Sequence, residues 1–379
     1  MSDRTPQIVG FEGDIGLAIA GKTVGVAGGG AVGGKVAEFV ASMGPKGVVI
    51  VDCDVYEEAN IATQGINTGD VGQPKATCIA ERLKSRYPSV DVRAHHGRIE
   101  DLPFDTFVGC AIVIASFDNI AAEMEISRRC MMLGIALVIA SVSGEAMAAQ
   151  VRCYSNRDAD SPCVACGLSD VEWQHVDRET QFSCDGVATV NTMPTRSFTA
   201  LSSMAASMGV ITVLRHLFGI GVPAADTFAH FDGLMTETAR MQLRRNANCA
   251  EEHTNWKRMQ LEAVGDQSLR SIVTAAGFHN GDIASVTVGE HDFLGRAVCD
   301  CETRRPFERF VNGATPLGEC DICGATRIAD PSSRVRRVPI SEIKHLAERR
   351  LGDLAEVPAR YVIVHGRERS ALVRERSES

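Results

Sequence analysis

Two sets of residues in this chain have the types and spacings that do chemistry. The first is the turn Gly28-Gly-Gly30-Ala-Val-Gly33, which fits G-x-G-x-x-G, with Asp52 nineteen residues beyond Gly33. Glycines in such a turn let a phosphate approach the backbone, and the free N–H groups of the following helix favour an anion. A carboxylate at the end of the second strand can hold ribose hydroxyls. The pattern is that of a nucleotide site, and the competing reading is a glycine turn used only for packing. The second set is cysteine. Cys163-x2-Cys166 is half of a tetrahedral zinc site, and Cys299-x-Cys301 and Cys320-x2-Cys323, separated by 18 residues, have the spacing of a zinc ribbon. A single site made from Cys163, Cys166, Cys320 and Cys323 is the rival arrangement.

These residues must be positioned by regular elements. Residues 23–27 predict a strand, 34–43 a helix and 48–52 a second strand, so the glycine turn lies inside a β-α-β unit. Helices are expected at 73–86 and 121–133, with strands at 90–95, 111–116 and 136–141. Short β-branched runs alternating with helices imply an α/β fold, Rossmann-like, with a mostly parallel sheet covered by helices on both faces. Residues 199–217 read as a buried, small-residue helix, followed by strands at 227–231 and 238–243. Past about residue 260 the composition becomes richer in arginine. There we expect a last helix at 340–351, a strand at 359–365 and a frayed charged tail from Arg367. The predicted division is 1–260 for the nucleotide domain, with a cysteine-containing crossover loop at about 157–197. The rest, 261–379, would be a smaller zinc-containing α+β module.

The chain has 379 residues, 45% hydrophobic and 23% charged, which excludes a disordered or fibrous protein. Its net charge of −9 does not favour nucleic acid as a partner. The apolar stretches near 106–116 and 131–143 are too short to span a bilayer, and the first residues have no signal-peptide pattern. A cytoplasmic protein with no membrane partner is therefore expected, in which thirteen cysteines serve as metal ligands or a reactive thiol rather than as a disulfide framework. Cys53, Cys78, Cys110 and Cys130 read as small apolar fillers within strands and helices.

The glycine fingerprint alone would favour a nicotinamide dehydrogenase, but the residues that follow it do not. Val51-Asp-Cys-Asp54 leads to Asn60-Ile-Ala-Thr-Gln64, then to Gly72-Gln-Pro-Lys75, then to Asp118-Asn119 after a buried apolar run. These motifs, in this order, resemble the superfamily of ThiF, MoeB and the ubiquitin-activating enzymes, whose pattern is V-D-x-D, N-x-x-R-Q, G-x-P-K and D-N. The resemblance covers about residues 10–260. It implies an enzyme that uses ATP and Mg²⁺ to adenylate the C-terminal glycine of a ubiquitin-like protein. Asp52 would hold the ribose, Asn60 and Lys75 would contact phosphates, and Asp118 would hold Mg²⁺, with Asp54, Gln64 and Asn119 completing the site. Read by themselves, Lys75 could be a helix-surface lysine, and Asp118 or Asn119 a helix cap. The family arginine is replaced by Thr63, and an arginine such as Arg4 of a second subunit is one candidate substitute.

By the same resemblance Cys184, in the crossover loop, is the position of the thiol that accepts the acyl group as a thioester, the competing reading being an inert loop or core cysteine. Cys249 and His253 would complete the first zinc site with Cys163 and Cys166. The absence of a rhodanese-like pattern after residue 260 favours transfer to a conjugating carrier protein. A sulfur-carrier adenylyltransferase and a catalytically silent scaffold remain the alternatives. The family also implies a homodimer, with 199–217 at the interface or in the core.

Overall fold

The β-branched run Thr23–Ala27 forms β1, whose parallel neighbours on either side supply the centre of the sheet. In this computed structural model, residues 14–169, 198–279, 283–299, 301, 305–312, 317–355, 359–367 and 369–376 are described. The strands β2 (Gly47–Asp52), β3 (Asp91–His96), β4 (Cys110–Ala115), β5 (Ala136–Ser143), β6 (Ala148–Tyr154), β7 (Thr227–Asp232) and β8 (Glu237–Gln242) complete an eight-stranded sheet. Its order is β3-β2-β1-β4-β5-β6-β7-β8. The first five strands are parallel and the last three run antiparallel. Every residue of β2 is buried, as expected of a Val/Ile strand covered on both faces. The chain winds from β1 outward through β2 to β3 and then crosses to β4. The order therefore reverses between β1 and β4, at the switch point where open α/β sheets bind ligands.

Five helices matter for the site. They are α1 (Ile15–Ala20), α2 (Gly33–Ser42), α3 (Ile61–Gln64), α4 (Lys75–Arg86) and α5 (Ile120–Leu133). Val36, Ala37, Val40 and Ala41 bury one face of α2 at helical spacing. The apolar helix α6 (Thr199–Phe218) packs closely on β4 and β5. A Cβ at its Gly209 would lie 2.9 Å from Ile114 and 3.2 Å from Ala140, so only glycine allows that approach.

The chain divides into two compact units, Met1–Leu102 with Thr106–Asn255, and Pro103–Asp105 with Trp256–Ser379. The second unit holds a five-stranded sheet built from β9 (Lys257–Leu261), β10 (Ile283–Val288), β15 (Val338–Pro339), β16 (Tyr361–Gly366) and β17 (Ser370–Glu375). A smaller sheet joins β11 (Asp292–Val298), β12 (Arg305–Val311), β13 (Ile328–Ala329) and β14 (Arg334–Val335).

Four expectations need correction. The helix at 340–351 is broken into Ile340–Ile343, a 3-10 turn Lys344–Leu346, and Leu351–Leu354. Extended Arg350 pairs with Ser268, and Leu351 N donates to Gln267 O at 2.9 Å, so tertiary backbone bonds override local helix propensity. The tail does not fray over 370–375, because β17 buries Ala371, Leu372 and Val373 between β16 and β9. The strand β6 has no counterpart in the sequence reading. Cys53 is exposed beyond the end of β2, while Cys78, Cys110 and Cys130 are buried as expected.

Candidate nucleotide site and cysteine clusters

The C-terminal ends of three strands are levelled by backbone bonds around the glycine turn. Gly28 N donates to Val51 O at 2.8 Å, and Ser116 N donates to Ala27 O at 2.8 Å. Gly28 has φ +91°, and a Cβ there would lie 2.2 Å from Ser116 O. At Gly33 a Cβ would lie 1.8 Å from Gly28 O, whereas at Gly30 it would meet nothing within 4 Å. The outer glycines are thus demanded by backbone contact, and the middle one leaves open space where a phosphate fits.

Asp52 braces this turn from behind. Its Oδ2 accepts the Gly29 N–H and its Oδ1 accepts the Asp54 N–H at 2.7 Å. Burial pushes the Asp52 carboxyl up, opposed by those two N–H donors. Each oxygen keeps a further lone pair for a ribose hydroxyl. The Gly29 bond is a feature that sequence reasoning missed, because a backbone donor leaves no trace in residue type.

Lys75, the first residue of α4, is only 7% exposed, so it is not a helix-surface lysine. Its Nζ lies 2.9 Å from Asp54 Oδ2, and its backbone N donates to Asp54 O at 2.9 Å. Asn119 caps α5, its Oδ1 accepting the Ala122 N–H at 2.8 Å, while its Nδ2 lies 3.5 Å from Asp118 Oδ1. Asp118 itself is exposed beyond the end of β4. Asn60 accepts the Glu57 N–H at 2.9 Å in a local cap. In α3, half-buried Thr63 precedes Gln64, whose buried Oε1 has no hydrogen-bond partner among the described residues. Cys184 and Arg4 lie outside the described residues.

Seven of the thirteen cysteines, with His253, form two four-donor clusters, Cys163, Cys166, Cys249 and His253, and Cys299, Cys301, Cys320 and Cys323, with all donors in each within 4.8 Å of one another. This arrangement removes the rival single site. Zinc–sulfur bonds of about 2.3 Å put tetrahedral sulfurs about 3.8 Å apart. In the first cluster Cys163 and Cys166 sulfurs are 3.9 Å apart, Cys163 and Cys249 3.7 Å, and Cys166 Sγ lies 3.6 Å from His253 Nε2. His253 Nδ1 is 2.8 Å from Ser161 O, so it donates there and leaves Nε2 as the ligand atom. Ser161 carries no sequence signal for that role. The second cluster is more compressed, with Cys299 Sγ 2.9 Å from Cys301 Sγ and 3.2 Å from Cys320 Sγ. Both donor sets fit zinc in kind and number.

A mostly parallel sheet with a glycine turn at its switch point and a carboxylate braced behind it defines a nucleotide-binding α/β domain. The model of the ThiF family matches residues 6–251, and the chain belongs to that family. Among curated proteins it is similar to the molybdopterin-synthase adenylyltransferase of Escherichia coli, at 23% identity over 244 residues, covering 63% of this chain and 90% of that one. It is also 25% identical to a sulfur carrier protein adenylyltransferase of Thermus thermophilus, covering 64% and 85%. Its match to the ubiquitin-like modifier-activating enzyme 5 of Caenorhabditis briggsae is 23% identical, covering 64% of this chain but 57% of that one. The crystal structure of Escherichia coli MccB with ATP shares the fold, with TM-score 0.51, 16% identity and coverage of 62% and 68%.

Proposed function

We propose that this enzyme adenylates the C-terminal carboxylate of a small ubiquitin-like or sulfur-carrier protein. The observation that carries this reading is buried Lys75, held by Asp54 near the end of β2, on a chain that matches the ThiF family. In the reaction a carboxylate oxygen attacks the α-phosphorus of ATP, the bond to the bridging oxygen breaks, and pyrophosphate leaves. Two anions must approach one another, so positive charge has to be in place beforehand. The open space at Gly30 and the N-terminus of α2 would take phosphate, Asp52 the ribose, and Lys75, released from Asp54, the charge at the reacting phosphate. Asn60 and Gln64 would add hydrogen bonds. The exposed Asp118 carboxylate beyond β4 would hold Mg²⁺, which neutralises phosphate charge when bound.

Cys184 would then take the acyl group as its thiolate attacks the acyl carbonyl and AMP departs. Its place in the crossover before α6 supports this step, as does the similarity to a modifier-activating enzyme. Delivery to a conjugating carrier protein, a two-fold homodimer using exposed Met204 and Ile211 of α6, and a cytoplasmic location belong to the same proposal. Zinc in the Cys163, Cys166, Cys249 and His253 cluster would be structural, since four protein donors leave no position open for water.

The relatives named sulfur-carrier adenylyltransferases support the alternative fate, in which the adenylate receives sulfur. ATP–pyrophosphate exchange with candidate carriers ending in Gly-Gly tests the first step. No exchange with any of them, from folded protein that binds ATP, overturns it. Intact mass then separates the fates: a hydroxylamine-cleavable covalent adduct lost in Cys184→Ala marks the thioester, and adduct retained in that variant removes Cys184 from the role.

A further inference from the structure

We infer that Cys299, Cys301, Cys320 and Cys323 bind one zinc ion whose role is to order the 317–329 segment of the second unit, and that this ion exchanges more readily than one held in the first unit. That segment has almost no core. Among described residues 317–329, Cys320 is the one buried side chain, and Ile322 and Ile328 are 61% and 60% exposed. Apolar burial therefore cannot order this segment.

Its backbone is nonetheless tightly organised around the thiols. Gly324, at φ +71°, donates to Cys320 O at 2.8 Å, Cys320 N donates to Ala325 O at 2.8 Å, and Arg327 N donates to Gly318 O at 2.8 Å. The Ile322 N–H points at Cys320 Sγ at 3.5 Å, which favours a thiolate there. Cys299 directly follows β11, whose last residues Ala297 and Val298 pair with β13. A cation bound by the four sulfurs ties the end of β11 to the 320–323 turn, supplying the constraint that side-chain packing lacks. Binding displaces the thiol protons and involves no change of oxidation state.

The difference in exchange follows from exposure. Cys301 and Cys323 are exposed, whereas in the first cluster Cys163 and His253 are buried and the other two are half-buried. Water and a competing ligand reach the second site first.

The test uses the full-length protein. Elemental analysis should give two zinc ions per chain, falling to one in Cys320→Ser/Cys323→Ser. To keep the test independent of that variant's folding, the wild type is also loaded with cobalt, whose thiolate charge-transfer absorption should correspond to seven thiolates. A colorimetric chelator should then release zinc in two phases. During the fast phase, hydrogen-exchange protection of residues 317–329 should collapse while β1, β2 and β4 stay protected. One zinc per chain, a disulfide among the four cysteines, single-phase release, or unchanged protection of 317–329 after the fast phase would each overturn the inference. None of these readouts depends on adenylation.

Discussion

The two sides of the nucleotide site are built by different means. At the glycine turn the contacts are backbone against backbone: Gly28 against Ser116 O, Gly33 against Gly28 O, and Gly29 N–H to Asp52. On the opposite side the groups proposed for chemistry are side chains at helix starts or short turns, each engaged locally. Lys75 is paired with Asp54, Asn119 caps α5, and Asn60 closes a turn with Glu57. The first side cannot adjust without moving three strands. The second can exchange a local partner for a phosphate at small cost. Binding geometry and reactivity are therefore separable by mutation.

The largest effect should come from Gly33→Val. No rotamer relieves a Cβ placed 1.8 Å from a carbonyl oxygen, so the turn must open, at roughly 3 kcal/mol by analogy with overpacked cores. Thermal unfolding should fall and ATP binding should vanish together; a variant that binds ATP normally breaks the comparison. Next, Lys75→Ala should reduce pyrophosphate exchange about 10²–10³-fold, the usual scale for one preorganised charge. Its unfolding midpoint should move little, because partner Asp54 is exposed and an ion pair of that kind contributes at most about 1 kcal/mol. Asp118→Asn should cut exchange by a similar factor and raise the Mg²⁺ concentration needed for half-maximal rate. Equal losses of stability and rate in either variant would place it with the glycine turn.

A smaller effect concerns pH. Burial raises the Asp52 carboxyl above its ordinary range, so the ionised folded form is penalised. Its contribution to stability is fully present below the unfolded pKa and is lost as pH rises through the raised folded value. Asp52→Asn should therefore gain stability relative to the wild type as pH climbs above about 4, by under about 1.4 kcal/mol for each unit of the raise. Melting curves across that range check it, and parallel curves would mean that the two N–H donors fully offset burial.

How much of this was legible follows the same division. The glycine turn, Asp52 and the parallel strands were readable because period-2 and period-3.6 patterns and a fixed loop signature survive in residue type. Cys163-x2-Cys166, Cys299-x-Cys301 and Cys320-x2-Cys323 were readable from spacing and Cys249 with His253 from the family resemblance, although the pairing that excluded a mixed site needed the fold. What could not be read lies in backbone contacts made at long range. Arg350 breaks a helical pattern by pairing with Ser268, and Ala371, Leu372 and Val373 form a central strand although charges flank them. Lys75 looks like any surface lysine until the fold is seen to bury it beside Asp54. Asn119 was ambiguous in sequence, and in the fold its Oδ1 caps α5.

The smallest expected effect is the most informative about the reactive side. Thr63 occupies the position of the family's motif arginine, on α3 beside Gln64, whose buried Oε1 has no partner among the described residues. A charge-assisted hydrogen bond to phosphate is worth about 2 kcal/mol, and ordering a long side chain removes a good part of it. Thr63→Arg should thus raise pyrophosphate exchange only about five- to tenfold, mostly through kcat, because the added charge acts where anionic charge is concentrated in the transition state. An unchanged rate would mean that another cation already fills that place, and Arg4 is the residue to remove next. If Arg4→Ala slows the wild type but not Thr63→Arg, the two arginines are interchangeable, and the reactive side tolerates replacement of its charges in a way the glycine turn does not.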